Sequence, residues 1–142
     1  MKKDLHRKAT HVTKLYVGLK RQLDPTTARC QRAPRKVTAT RVDDFFFAER
    51  RRQGVPKAGA TRYSAKGLWM GNRERTAVYE VQWFPGGKET YPEFRRHMNR
   101  LAQNIARRFC QDAVLVVHRT PSAKTSAFFS PRTRRAARRV AG

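Results

Sequence analysis

"TRYSAKGLWMGNRERTAVYEVQWFPGG", residues 61–87, decides how this chain folds. Two runs within it, 61–70 and 76–84, are rich in β-branched and aromatic residues and read as strands. The intervening "GNRER" carries Gly71 and Asn72 and reads as their turn. Alternation in the second run sends Ala77, Tyr79, Val81 and Trp83 to one side and Val78, Glu80, Gln82 and Phe84 to the other. Pro85-Gly86-Gly87 then stops it.

Downstream, "TYPEFRRHMNRLAQNIARRFC" (90–110) has the period of a helix. Thr90 caps it, Glu93 closes a capping box three residues on, and Pro92 is tolerated in the first turn. Phe94, Met98, Leu101, Ile105 and Phe109, with Ala102 beside them, share one arc and form the core face. "DAVLVVHR" follows as a short apolar run suited to a buried strand. Residues 61–119 therefore predict an α+β fold, a β-β-α-β unit with a helix on a small sheet. If strands 76–84 and 113–118 are neighbours, the link through the helix is a right-handed parallel crossover.

Upstream, Val12, Leu15, Tyr16, Leu19 and Leu23 fall at helical spacing, and Pro25 suits a helix end, so residues 10–23 read as an amphipathic helix. Thr26 to Thr40 reads as a basic linker. "VDDFFFAERRRQG" (42–54) reads as a helix started by Asp43 or Asp44 and ended by Gly54, in which Phe45, Phe46 and Phe47 cannot all face one side. Residues 119–142 hold no acid and read as a basic tail, disordered when free. The expected organisation is a basic N-terminal extension over 1–41, an α+β core over 42–118 and the tail over 119–142.

Charge is the dominant compositional signal: 33 Lys plus Arg against 10 Asp plus Glu, a net charge of +23 and a pI near 11.6. Such an excess opposes compaction and points to a polyanionic partner. On the helix over 90–110, Arg96, Arg100 and Arg107, with Arg108 beside them, form a stripe opposite the core face. Arg100 and Arg107 have no acid three or four residues away. The guanidinium fork suits bidentate phosphate contact. The tail adds Lys124, Arg132, Arg134, Arg135, Arg138 and Arg139 near Phe128-Phe129, a mixture that serves phosphate contact and base stacking.

These features predict a nucleic-acid-binding protein, of RNA or DNA, acting as an accessory in a nucleoprotein assembly. Protein partners within that assembly are a further expectation. An interaction module whose phenylalanines dock a protein, with incidental basic charge, is another reading.

Two triplets, His11-Val12-Thr13 and His118-Arg119-Thr120, carry a third reading. A pair of H-x-[ST] motifs on facing strands resembles the two-histidine phosphoesterases. That resemblance implies a phosphodiester-cleaving enzyme with His11 and His118 as acid and base and Thr13 and Thr120 holding phosphate.

Glu74 in the turn, Glu80 on a strand and Asp112 before the last strand form no recognisable carboxylate pair, and no phosphate loop accompanies Gly71 or Gly86-Gly87. The balance is against an enzyme. Cys30 and Cys110 lack ligand spacing, so neither a metal nor a disulfide scaffold is expected, and no cofactor is implied. No segment approaches the roughly 18 apolar residues of a membrane span. The expected location is intracellular, in the cytoplasm or near nucleic acid, with a mitochondrial address also compatible with the acid-poor N-terminus.

Overall fold

The segment expected to open the chain as a helix is a strand, β1 (His11–Gly18), in which Thr13, Leu15 and Val17 are buried. Val12, Leu15 and Tyr16 fit the helical period, whereas the buried Thr13, Leu15 and Val17 fit a period of two. The abundance of β-branched and aromatic side chains and the flanking strands decide for the pleat. The computed structural model describes residues 11–20, 37–69, 72–122 and 124–131. After β1 come α1 (Ala39–Arg52), β2 (Thr61–Trp69), β3 (Asn72–Trp83), α2 (Tyr91–Arg108), β4 (Ala113–Arg119) and β5 (Thr125–Pro131).

The strands form one five-stranded antiparallel sheet in the order β2-β3-β1-β4-β5. β1 lies between β3 and β4 and runs antiparallel to both, with Leu15 opposite Tyr79 on one side and Val116 on the other. β3 and β4 are therefore parallel to each other but not neighbours, and the connection through α2 passes over β1. The α+β class holds. The segment expected as an N-terminal extension supplies the middle strand.

Two further expectations are corrected. β3 begins at Asn72, so Glu74 stands on a strand and not in a turn. Within the expected disordered tail, Thr125–Pro131 pairs with β4 from Arg119↔Thr125 to Ala113↔Pro131, because the free edge of β4 offers its backbone groups to the chain returning after Thr120. Residues 132–142, including the arginine run of the tail, lie outside the described residues.

Both helices cover the same sheet face. α2 is built as its sequence predicts: the Thr90 hydroxyl accepts from the Glu93 amide and donates to its carboxylate, and Phe94, Met98, Leu101 and Ile105 are buried. α1 starts earlier than expected, capped by Thr38, which leaves Asp43 inside the helix. There Asp43 accepts from the Tyr79 hydroxyl (2.5 Å) and from Arg62, tying α1 to β2 and β3. The three phenylalanines divide. Phe46 stacks on Tyr79 in the core, Phe45 packs edge-on against Phe109, and Phe47 is 45% exposed. Cys110, buried at the turn into β4, is disulfide-bonded, where the sequence offers no reason to expect a disulfide; Cys30 lies outside the described residues.

Two polar devices fasten the helices. Arg50 of α1, 3% exposed, makes a bidentate pair with Glu89 (2.9 Å twice), and Glu89 also takes His97 Nδ1 at 2.6 Å. Burial alone would raise the Glu89 pKa, but hydrogen bonds and charge from Arg50 and His97 outweigh it and bring the pKa down. The second device lies between α2 and the sheet. The Asn99 carbonyl accepts from His118 Nε2 (3.0 Å), so Nδ1 is the ring's acceptor and takes the Thr13 hydroxyl at 2.7 Å. Burial, aided by the charge of Arg95, pushes the His118 pKa down to about 4.

Replacing Glu89 by Ala leaves Arg50 charged and buried, and is expected to cost about 3 kcal/mol in urea denaturation. The half-exposed Lys14–Glu80 pair, cut by Glu80→Ala, should cost about 1 kcal/mol or less. His118 gives a pH signature. Its folded pKa lies below the 6.5 of the unfolded chain, so the unfolded state takes up the proton first and stability falls as pH drops from 6.5 towards 4. Denaturation midpoints across that window should decline in the wild type and lose part of the slope in His118→Gln.

Candidate functional site

The residues singled out by sequence do not converge. Arg96, Arg100, Arg107 and Arg108 are exposed on the outer side of α2, as a solvated helix face requires. Lys124 is exposed just before β5. Arg132, Arg134, Arg135, Arg138 and Arg139 lie outside the described residues.

The two histidine triplets do stand on neighbouring strands, with Thr13 paired to His118. They lie on the side of the sheet beneath the helices. His118 has both nitrogens engaged and is 3% exposed. His11 is stacked on Tyr91 with ring centroids 3.7 Å apart, and burial lowers its pKa. Thr120 shapes the turn before β5, accepting from the Lys124 amide and bonding Ser122. This is packing, not an acid–base pair open to substrate.

Chemistry gathers on the other face of the sheet, which no described element covers. Alternation places Glu74, Thr76 and Val78 of β3 there, with Tyr16 and Gly18 of β1, Ala65 and Gly67 of β2, Leu115 of β4 and Phe129 of β5. Near the end of β1 these residues enclose a cavity of about 200 Å³, floored by Gly18, Gly67 and Thr76 and walled by Tyr16, Leu115, Phe129 and Gln111. A second cavity of about 480 Å³, lined by Lys20, Ser64, Arg73 and Arg75 and by Thr38 and Ala39 at the start of α1, adjoins it. Glu74 lines both.

Burial raises the Glu74 pKa, and the charge of Lys20 offsets this in part. A carboxylate short of water and flanked by aromatic and aliphatic walls favours a cation that is itself weakly hydrated and carries few hydrogen-bond donors. Gln111 frames the same cavity from a turn. Only 2% exposed, it donates its amide to the carbonyls of Lys20 (2.8 Å) and Phe109 (3.2 Å), fixing the end of β1 against the start of β4.

A wider cleft of about 1220 Å³ runs beside Arg50, Glu89, His97 and Trp83. Size does not make it the better candidate. Its buried charges are committed to one another, and Trp83 Nε1 donates to the Glu89 carbonyl, so the cluster closes on itself.

None of the residues around Glu74 stands out in the sequence, since Glu74 reads there as a turn residue. The available signal was glycine inside a strand pattern, at Gly18 and Gly67, which marks close approach of another group.

No family model matches the chain, and no curated protein matches it. Among solved structures, a phage SAM lyase in its apo state is similar with a TM-score of 0.63 at 17% identity, covering 84% of this chain and 89% of that one. A phage SAM lyase in complex with S-methyl-5'-thioadenosine is similar with a TM-score of 0.55 at 18% identity, covering 85% and 90%. At such identity the likeness is one of fold. Those neighbours are enzymes, and not nucleic-acid-binding or ribonucleoprotein components. That finding corrects the expectation of a nucleic-acid-binding accessory or bare interaction module and the balance against an enzyme, while the two-histidine phosphodiesterase falls to the burial of His118 with both nitrogens engaged. Over 84–85% of its length the chain is similar in fold to these phage SAM lyase structures.

Proposed function

We propose that this protein is a lyase that cleaves S-adenosylmethionine, with Glu74 in the ligand site. The observation that carries the reading is a partly desolvated carboxylate at the junction of two cavities, in a fold shared with phage SAM lyase. S-adenosylmethionine is cationic at a sulfonium, which has no N–H or O–H to donate. That chemistry matches an acid set among Tyr16, Leu115 and Phe129 better than it matches a hydrated surface carboxylate. In the adjoining cavity, Lys20, Arg73 and Arg75 carry charge suited to the amino-acid carboxylate of the same ligand.

Release of S-methyl-5'-thioadenosine from S-adenosylmethionine breaks the bond between sulfur and Cγ of the aminobutyryl chain. The bonding pair goes to sulfur, which becomes a neutral thioether. In the absence of water, the carboxylate oxygen of the substrate attacks Cγ and closes a five-membered lactone. No proton has to move and all atoms are accounted for. Elimination would need a base able to remove an unactivated β-proton, for which a glutamate is far too weak. Ring closure needs only a folded substrate, and holding two reacting groups together is worth up to about 7–11 kcal/mol in favourable cases.

Positive and negative charge annihilate as that ring forms, so a dry pocket accelerates the step while Glu74 mainly holds the charged ground state. Glu74→Gln is therefore expected to act chiefly on KM for S-adenosylmethionine, raising it about 10- to 100-fold, the loss of a charged contact worth about 1.5–3 kcal/mol. Chromatography of reactions with purified protein tests the reading directly. Formation of S-methyl-5'-thioadenosine with a lactone co-product is expected, and a wild-type protein that yields no S-methyl-5'-thioadenosine overturns it.

A further inference from the structure

Gly18 faces Thr76 across the β1–β3 pair, and Gly67 faces Glu74 across the β2–β3 pair. The side chains of β3 do not stand straight above these partners. A Cβ on Gly18 would lie 2.4 Å from Glu74 Oε1 and 2.7 Å from its Cδ and Oε2. A Cβ on Gly67 would lie 2.5 Å from Thr76 Oγ1 and 3.7 Å from Glu74 Cγ. Glu74 thus leans diagonally over β1 and Thr76 over β2, each into volume that any other residue would fill.

Backbone conformation does not explain these two glycines. Among the described residues positive φ is found at Gly54, Gly86 and Cys110, and both strand glycines pair in register. Glycine inside a strand weakens it, so the missing side chains point to what occupies their place.

We infer that Gly18 and Gly67 are positioning residues that seat the Glu74 carboxylate against the β1 backbone, and that this seat makes the site select a cationic over a neutral centre at the sulfur position. The inference rests on the S-adenosylmethionine reading. Lying flat on β1, the carboxylate presents charge to a centre without hydrogen-bond donors, and the diagonal lean of Thr76 keeps its hydroxyl out of that place. A neutral thioether gains nothing from such a seat. Glu74 has a flexible end, so Gly18→Ala displaces the carboxylate without breaking the strand. Thr76 is β-branched and stiffer, so Gly67→Ala is the more disruptive change.

The test uses the full chain as wild type, Gly18→Ala and Gly18→Ala/Glu74→Asp, each checked for folding by thermal melt. Two uncleaved probes are titrated by calorimetry: sinefungin, with a protonated amine at the sulfonium position, and S-adenosylhomocysteine, a neutral thioether. The wild type should prefer sinefungin by about tenfold or more, and Gly18→Ala should lose most of that preference. The double variant should recover it, because aspartate is one methylene shorter and clears the added methyl. In parallel, carboxyl ¹³C NMR should find Glu74 titrating above the ordinary glutamate range in the wild type and closer to it in Gly18→Ala. A folded Gly18→Ala that keeps the wild-type probe preference, or the wild-type Glu74 titration, overturns the inference. A wild type that binds neither probe overturns the S-adenosylmethionine reading and the selectivity resting on it, while the titration still decides whether Gly18 seats the carboxylate.

Discussion

A sheet whose described helices both lie on one face must meet different demands at alternate residues, and this constraint runs through the described structure. Toward the helices, Leu15, Val17, Ala77, Tyr79, Val114 and Val116 give up water altogether. One residue along each strand, Tyr16, Thr76 and Leu115 turn the other way. A one-residue slip would exchange the two sets, burying Glu74 under the helices and opening the core. The long pairings of β1 with both neighbours make that slip costly. The site is thus a by-product of the register that builds the core.

How much of this was legible in the sequence depended on how far a local signal agreed with its surroundings. α2 was readable in full, because its cap, its period and its core arc are all contained within the helix. β2, β3 and β4 were readable as strands from their β-branched runs. β1 was not, since Val12, Leu15, Tyr16 and Leu19 fit the helical period, while the set that the strand buries, Thr13, Leu15 and Val17, includes a polar residue and is settled only by the pairing with β3 and β4. β5 was hidden for a related reason: polar residues surround Phe128 and Phe129, and only the edge of β4 makes a strand of them. Glu74 was lost through a boundary. Four residues, Asn72 to Arg75, were counted into a turn, and a carboxylate in a turn is ordinary where one on a strand beside two glycines is not.

The net charge misled for a different reason. Arginine on α2 reads as a contact surface when counted along the sequence, but the fold distributes the basic residues among separate tasks. Arg50 links two helices from inside, Arg62 holds Asp43, and Arg95 helps keep His118 neutral, while Arg96 and Arg100 remain in solvent. Composition counts charges without saying which are spoken for. The same holds for the histidine triplets, whose motif geometry is present while its solvent access is not.

The placement of β1 also bears on how the molecule is made. Thr13 and His118 touch across 105 residues of sequence, and the sheet must receive β1 between two strands that follow it in the chain. The hairpin of β2 and β3 is local and forms quickly, and β1 can join β3 at longer range, whereas its other edge waits until α2 and β4 have been synthesised. Such a chain cannot complete its sheet until α2, β4 and β5 have followed β3. Until β4 arrives, one edge of a strand that buries Leu15 and Val17 is open and in need of a partner.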